Sequence, residues 1–167
     1  MEQRHSAQIN KVRELLEQFD TAMLVTHASG EPHHARPMAI AHIDDDCDVW
    51  FFTDRGSPKV NEIEHDERVL IVCQDEHARY LSIMGRAQLI QDEAKANEYW
   101  KETFKPWFPG GVNDPGLLLI HVHAENAEYW DSQGSKGIKY IFQAATAYAT
   151  GTRPKIEEGK QHGKITL

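Results

Sequence analysis

The sequence predicts a mainly β (α+β) chain: an antiparallel barrel of six strands with a few flanking helices. Three observations carry that expectation. Segments with a two-residue apolar period follow one another in hairpin-like succession, separated by short polar turns. Strands and helices do not alternate, which argues against a doubly wound parallel sheet. The chain has 167 residues, 40% of them hydrophobic and 26% charged, which suits one domain with a real core.

The elements follow in order. Residues 3–19 read as a helix, because Ile9, Val12, Leu15, Leu16 and Phe19 recur at helical spacing, with Ser6 as its N-cap candidate. The period then changes. Residues 21–27 form a first strand, 28–31 a turn, and 33–43 a second strand. Pro37 falls inside that strand and has no N–H for the ladder, so it marks an edge or a bulge. Asp44-Asp45-Asp46 begins a turn into a third strand, 49–54. Ser57 reads as an N-cap and Pro58 as the first position of a short helix with Val60 and Ile63 on its apolar face. Residues 68–74 are a continuous apolar run, expected to be buried on both faces. Residues 79–90 form a long fifth strand whose Gly85 signals a bulge or a close backbone approach.

Asp92 caps a helix expected to reach about Phe104. Residues 105–116 are a loop dense in proline, glycine and aromatics, and 117–130 are another long strand. Ile138, Ile141, Phe142, Ala145 and Tyr148 fall at helical spacing, and Gly151 stops that pattern. Residues 1–151 thus read as one domain. Residues 152–167 read as a charged tail, either disordered or docked on a partner.

The formal charge of −8 disfavours a general nucleic-acid or anionic-membrane binder. No apolar run approaches the roughly 20 residues of a membrane helix. The polar start of the chain lacks a signal-peptide core, which gives a cytoplasmic expectation. Cys47 and Cys73 stand far apart with no partner at metal-ligand spacing. Among ten histidines, His121 and His123 share a strand face, but no further ligands stand at familiar spacing, so no metal site is expected. There is no GxSxG, P-loop or GxGxxG, and no side chain is assigned a catalytic role.

The chemistry concentrates between residues 36 and 59. Arg36-Pro37-Met38, the aromatic strand end Phe52-Thr53 and the helix start Ser57-Pro58-Lys59 supply two cations, two hydroxyls and a helix N-terminus. Such a helix start favours an anion, and an arginine adds a bidentate contact to phosphate. Lys59 lies in the first turn, where a lysine opposes the helix dipole, a placement that points to function. Together these residues suit a flat aromatic ligand ending in a phosphate. The plainer readings are a capped helix with a solvated lysine, and aromatics that fill the barrel. Trp107, between helix breakers in the long loop, and Trp130, at a strand end, suit an interface or a ligand cover, or a small satellite core.

Taken in order, these segments resemble the pyridoxamine-phosphate-oxidase-like flavin-binding split barrels, and in particular their general stress protein 26 branch. The resemblance rests on Arg36-Pro37-Met38, on 50–54 followed by Ser57-Pro58-Lys59, and on Tyr80-Leu81-Ser82 with Gly85-Arg86-Ala87. It extends through Trp107-Phe108-Pro109-Gly110-Gly111, Ala127-Glu128-Tyr129-Trp130-Asp131 and His162-Gly163-Lys164. It implies a six-stranded Greek-key split barrel forming a homodimer with FMN at the subunit interface. Arg36 and Lys59 would hold the phosphate, with Ser57 and Thr53 assisting. The Pro37-Met38 backbone and Phe52 would lie beside the ring, and Trp107 and Trp130 near the interface.

The end of the chain lacks the arginine-rich segment of relatives that oxidise pyridoxamine phosphate, which argues against vitamin B6 oxidation. The expectation is an FMN-dependent oxidoreductase of unassigned substrate. The alternatives are a flavin-binding redox sensor or store without turnover, and a barrel holding haem or a deazaflavin.

Overall fold

The computed structural model describes residues 2–27, 30, 32–77, 79–131, 151 and 162–167. Three helices decorate the sheet among them: α1 (Glu2–Leu16), α2 (Pro58–His65) and α3 (Glu93–Tyr99). The strands are β1 (Thr21–Thr26), β2 (His34–Ile43), β3 (Val49–Asp54), β4 (Arg68–Gln74), β5 (Arg79–Ile90), β6 (Leu117–Asp131) and β7 (His162–Thr166). All pairings are antiparallel, in the order β3-β2-β1-β4-β5-β6-β7. A further pairing of β3 with β6 closes six strands into a barrel.

The long strand β6 explains how a closed barrel carries a seventh strand. Its first half pairs with β3, from Leu117 opposite Asp54 to Val122 opposite Val49. Its second half pairs with β7, from Asn126 opposite Thr166 to Trp130 opposite His162. The register of β5 against β6 shifts between Met84 and Gly85. That is the irregularity Gly85 signalled. The last residues of the expected tail are therefore a strand. Sequence patterning missed it because five residues around a glycine leave little periodicity. The helical pattern at 138–148 lies outside the described residues.

The barrel interior is filled by alternate residues of every strand, including Leu24, Met38, Phe51, Ile71, Ile83, Ile120 and Tyr129. Val12, Leu15 and Leu16 of α1 join that core. The helix starts at Glu2, so Ser6 lies within it and is not its cap. A second cluster outside the barrel packs Trp50 and Phe52 of β3 against Ala96, Tyr99, Phe104, Phe108 and Leu119. Asp92 caps α3 as expected, its carboxylate accepting from the Lys95 N–H at 3.0 Å. The helix stops at Tyr99, and residues 102–104 form a separate 3₁₀ turn.

One expectation about burial changes. β4 is not buried on both faces: Val69, Ile71 and Cys73 are inside, whereas Val72 is 36% exposed. Its neighbours on the outer face are also apolar. Met23 pairs with Val72, Met84 with Leu70, and Tyr80 with Trp130. Met23, Tyr80, Met84 and Trp130 are all exposed in the single chain. The continuous apolar run thus gives β4 two apolar faces, one of them uncovered by this chain. Among the described residues no helix is long and apolar enough to cross a membrane.

Candidate functional site

The region between residues 36 and 59 converges at one end of the barrel. β3 runs into α2 through a tight turn in which the Asp54 carboxylate accepts from the Gly56 N–H at 2.7 Å. Ser57 occupies the N-cap position with extended backbone, but its side chain makes no cap hydrogen bond. Its hydroxyl instead lies 3.2 Å from the Thr53 hydroxyl and accepts from the Lys59 ammonium at 3.0 Å. Lys59 also donates to Thr53 Oγ1 at 3.2 Å. Thr53 is buried at the end of β3. Pro58 carries no N–H and the Val60 N–H donates to the Ser57 carbonyl at 3.0 Å, so the Lys59 N–H is the first-turn donor left without a side-chain acceptor among the described residues, beside a cation and two hydroxyls.

Lys59 is an unusual cation. It forms no ion pair with any described residue, and its hydrogen-bond acceptors are neutral hydroxyls. Burial and the nearby positive charge of Arg36 push its ammonium below the ordinary lysine value. A group in that state gains from a dianion placed between it and the helix N-terminus.

Arg36 projects into the same end of the barrel, on the inward face of β2 with Met38 and Ile40. Its guanidinium donates to Glu62 Oε2 at 2.7 Å and to the Thr26 hydroxyl. The Thr26 hydroxyl in turn donates to Glu62, and His34 Nδ1 lies 2.6 Å from Glu62 Oε1. Burial alone would raise the Glu62 carboxyl. The hydrogen bonds from Thr26, His34 and Arg36, with the charge of Arg36, hold it down at about 2. Sequence reading missed Glu62 as the partner of Arg36. The available signal was its place beside Val60 and Ile63 on the buried face of α2, where an unpaired carboxylate is costly.

The remaining residues divide. Pro37 pairs with Met23 of β1, while pairing of β2 with β3 begins only at Ile40. The backbone of Arg36-Pro37-Met38 is therefore a local sheet edge, as the proline implied, and the register shift of β2 falls at Ile40/His42. The Met38 side chain is in the barrel core. Phe52 does not face the Lys59 side. Its ring meets Trp100, Phe104 and Phe108 edge-on in the outer aromatic cluster. Trp107 is 71% exposed. Trp130 stacks on His162 at 5.1 Å, at the opposite end of β6 from Leu118, the partner of Thr53. Within one chain the fold thus gathers Arg36, Thr53, Ser57 and Lys59, and leaves Trp107 and Trp130 apart from them.

Comparison with known proteins places this geometry. The family model described as pyridoxamine 5'-phosphate oxidase like matches residues 7–155. A putative general stress protein 26 from Jannaschia sp. CCS1 has a similar structure, with TM-score 0.72 and 22% identity over 98% of this chain and 99% of that one. The general stress FMN/FAD binding protein from Xanthomonas citri has TM-score 0.65 and 26% identity over 81% of this chain and 93% of that one. The general stress protein 26 from Bacillus anthracis str. Sterne has TM-score 0.66 and 24% identity over 72% and 92%. Comparison with curated protein sequences gives no match. With the family model matching residues 7–155, most of its length, this chain belongs to the pyridoxamine 5'-phosphate oxidase-like family.

Proposed function

We propose that the protein is an FMN-binding flavoprotein, a homodimer with one flavin at each of two sites between the subunits, acting as an oxidoreductase on a substrate not yet assigned. The observation that carries this reading is Lys59. A partly buried ammonium, held among the described residues only by the hydroxyls of Thr53 and Ser57, at a helix start with no side-chain cap and with Arg36 close by, suits a terminal phosphate. The similar Xanthomonas citri protein is named as an FMN/FAD binder. When bound, the flavin supplies hydride and electron transfer, while the protein supplies binding and orientation.

In this reading the Lys59 ammonium offsets the phosphate charge, the Lys59 N–H donates to it, and Thr53 and Ser57 orient it. Arg36 contributes charge, with its guanidinium fixed by Glu62. The open edge at Pro37-Met38 offers backbone to the ring. The exposed apolar row Met23, Val72, Tyr80, Met84 and Trp130 supports a second copy of the chain as its cover. That cover would bring the partner's surface toward a site that a single chain leaves incomplete.

The test is the absorbance spectrum of the protein as isolated and after addition of FMN. A bound flavin absorbs near 450 nm and a haem near 410 nm, both about those values as properties of the cofactors. A protein that stays colourless with FMN present overturns the reading. Lys59→Ala and Arg36→Ala are each expected to weaken FMN binding by about 1.5–3 kcal/mol, the loss of a charged hydrogen bond. Fluorescence titration of FMN measures this. Arg36→Ala also unpairs Glu62, so its folded fraction is measured alongside.

A further inference from the structure

The β2–β3 turn and the start of β6 assemble a second polar cluster that the flavin reading does not use. His42, Trp50 and His121 form one row across β2, β3 and β6, each paired to the next in register. Asp44 and Asp48 flank that row from the two ends of the turn, which closes with hydrogen bonds from Asp44 N to Asp48 O and from Cys47 N to Asp44 O. One ligand atom each of Asp44, Asp48 and His121 lies within 4.8 Å of the other two. His42 Nε2 is 3.2 Å from Asp44 Oδ1. We propose that Asp44, Asp48 and His121, with His42 within reach as a fourth ligand, bind a divalent transition-metal cation of the zinc class.

Each carboxylate is already held by a hydrogen bond from outside the cluster, and each imidazole is fixed in place by ring stacking. Asp48 is buried, and its Oδ1 accepts the Ala124 N–H at 2.9 Å, leaving Oδ2 directed at His121 Nε2, 2.9 Å away. Asp44 Oδ2 accepts the Trp50 indole N–H at 2.7 Å. The His121 ring stacks on Trp50 at 4.1 Å, and the His42 ring stacks on Tyr99 at 4.2 Å. Charge points the same way. Asp44 and Asp48 make no ion pair with a lysine or arginine among the described residues; their partners there are imidazoles, which are cationic only when protonated. A dication in place of the shared protons neutralises both carboxylates.

Mixed imidazole and carboxylate ligands suit zinc-class ions, in contrast to the all-oxygen shells of magnesium and calcium. Ligand atoms on a tetrahedral zinc stand about 3.3 Å apart, so the cluster closes on an ion by small side-chain rotations. His123, mostly exposed and 3.2 Å from Asp48, is free to swing in or to remain a partner of Asp48. The Cys47 thiol is turned away, toward the Ile9 carbonyl at 3.7 Å. Spacing in the sequence gave His121 and His123 no further ligands; the pairing of β3 with β6 supplies them.

Cobalt(II) chloride added to the chelator-treated, untagged full chain tests this. The expected result is one cobalt per chain, with visible bands of four- or five-coordinate cobalt that zinc abolishes. Asp44→Asn and His121→Gln each raise the cobalt Kd by more than about tenfold, and Trp50→Phe, which keeps an aromatic face but removes the indole N–H, by about 10-fold or more. Far-UV circular dichroism confirms that each variant folds. No cobalt bands, or bands that Asp44→Asn and His121→Gln leave unchanged in folded protein, overturn the proposal. FMN binding measured on the same samples reads the flavin site separately, so either result stands without the other.

Discussion

Gly85→Ala is expected to destabilise the protein by about 3 kcal/mol, measured as a lower urea midpoint with an unchanged slope. The effect follows from the shift in β5–β6 register. At Gly85 the β6 backbone comes so close that an added Cβ would stand 2.1 Å from the His123 carbonyl oxygen and 3.3 Å from the Ala124 Cα. Those atoms are backbone, so neither can rotate away. Relief requires the two longest strands to separate where they bend, disturbing the bonds of β6 to β5 and the Asp48 contact to the Ala124 N–H together. A variant with wild-type stability would mean that the strands do not approach this closely.

Glu62→Ala is expected to cost about 3 kcal/mol, because it leaves the Arg36 guanidinium and the Thr26 hydroxyl without their carboxylate in a mostly buried setting. Glu62→Gln keeps the shape but loses the charge. Its comparison with wild type carries a pH signature. The folded-state carboxyl is held down at about 2, below its ordinary value of 4.5. A depressed carboxyl binds fewer protons folded than unfolded, so its stabilisation is full above about pH 4.5 and is lost as pH falls toward 2. The wild type should therefore lose stability across that window more steeply than Glu62→Gln, as read by urea unfolding at stepped pH. Parallel curves would mean that Glu62 is not tied to Arg36, Thr26 and His34 in solution.

Much of the barrel was legible because it is written locally. β1 to β6 follow from apolar patterning, alternating in most and continuous in β4, together with turn residues, and Pro37 and Gly85 marked places where the ladder is interrupted. Ser57-Pro58-Lys59 announced the start of α2. What escaped was set by distant pairing. The strand at His162–Thr166 pairs with the second half of β6, and its second residue Gly163 fits against the Tyr129 ring, which a Cβ would approach to 2.7 Å. Glu62 and Arg36 are far apart in sequence, and only the folding of α2 over the end of β2 joins them. Ser57 is the instructive case. Residue type marked it correctly as the N-cap position, but its hydroxyl serves Lys59 instead of the helix, which leaves the helix start open to an anion. Phe52, grouped with the ring site by its place in the strand, packs outward against Phe104 and Phe108 of the distant segment after α3.

If Lys59, Ser57, Thr53 and Arg36 hold the phosphate of a flavin, Lys59 distinguishes FMN from riboflavin, which lacks the phosphate. A two-by-two titration of wild type and Lys59→Ala with the two flavins measures this. Wild type is expected to prefer FMN, and Lys59→Ala to lose about 1.5–3 kcal/mol of that preference while binding riboflavin as wild type does. An equal loss for both flavins, or an FMN preference untouched by the substitution, would contradict it.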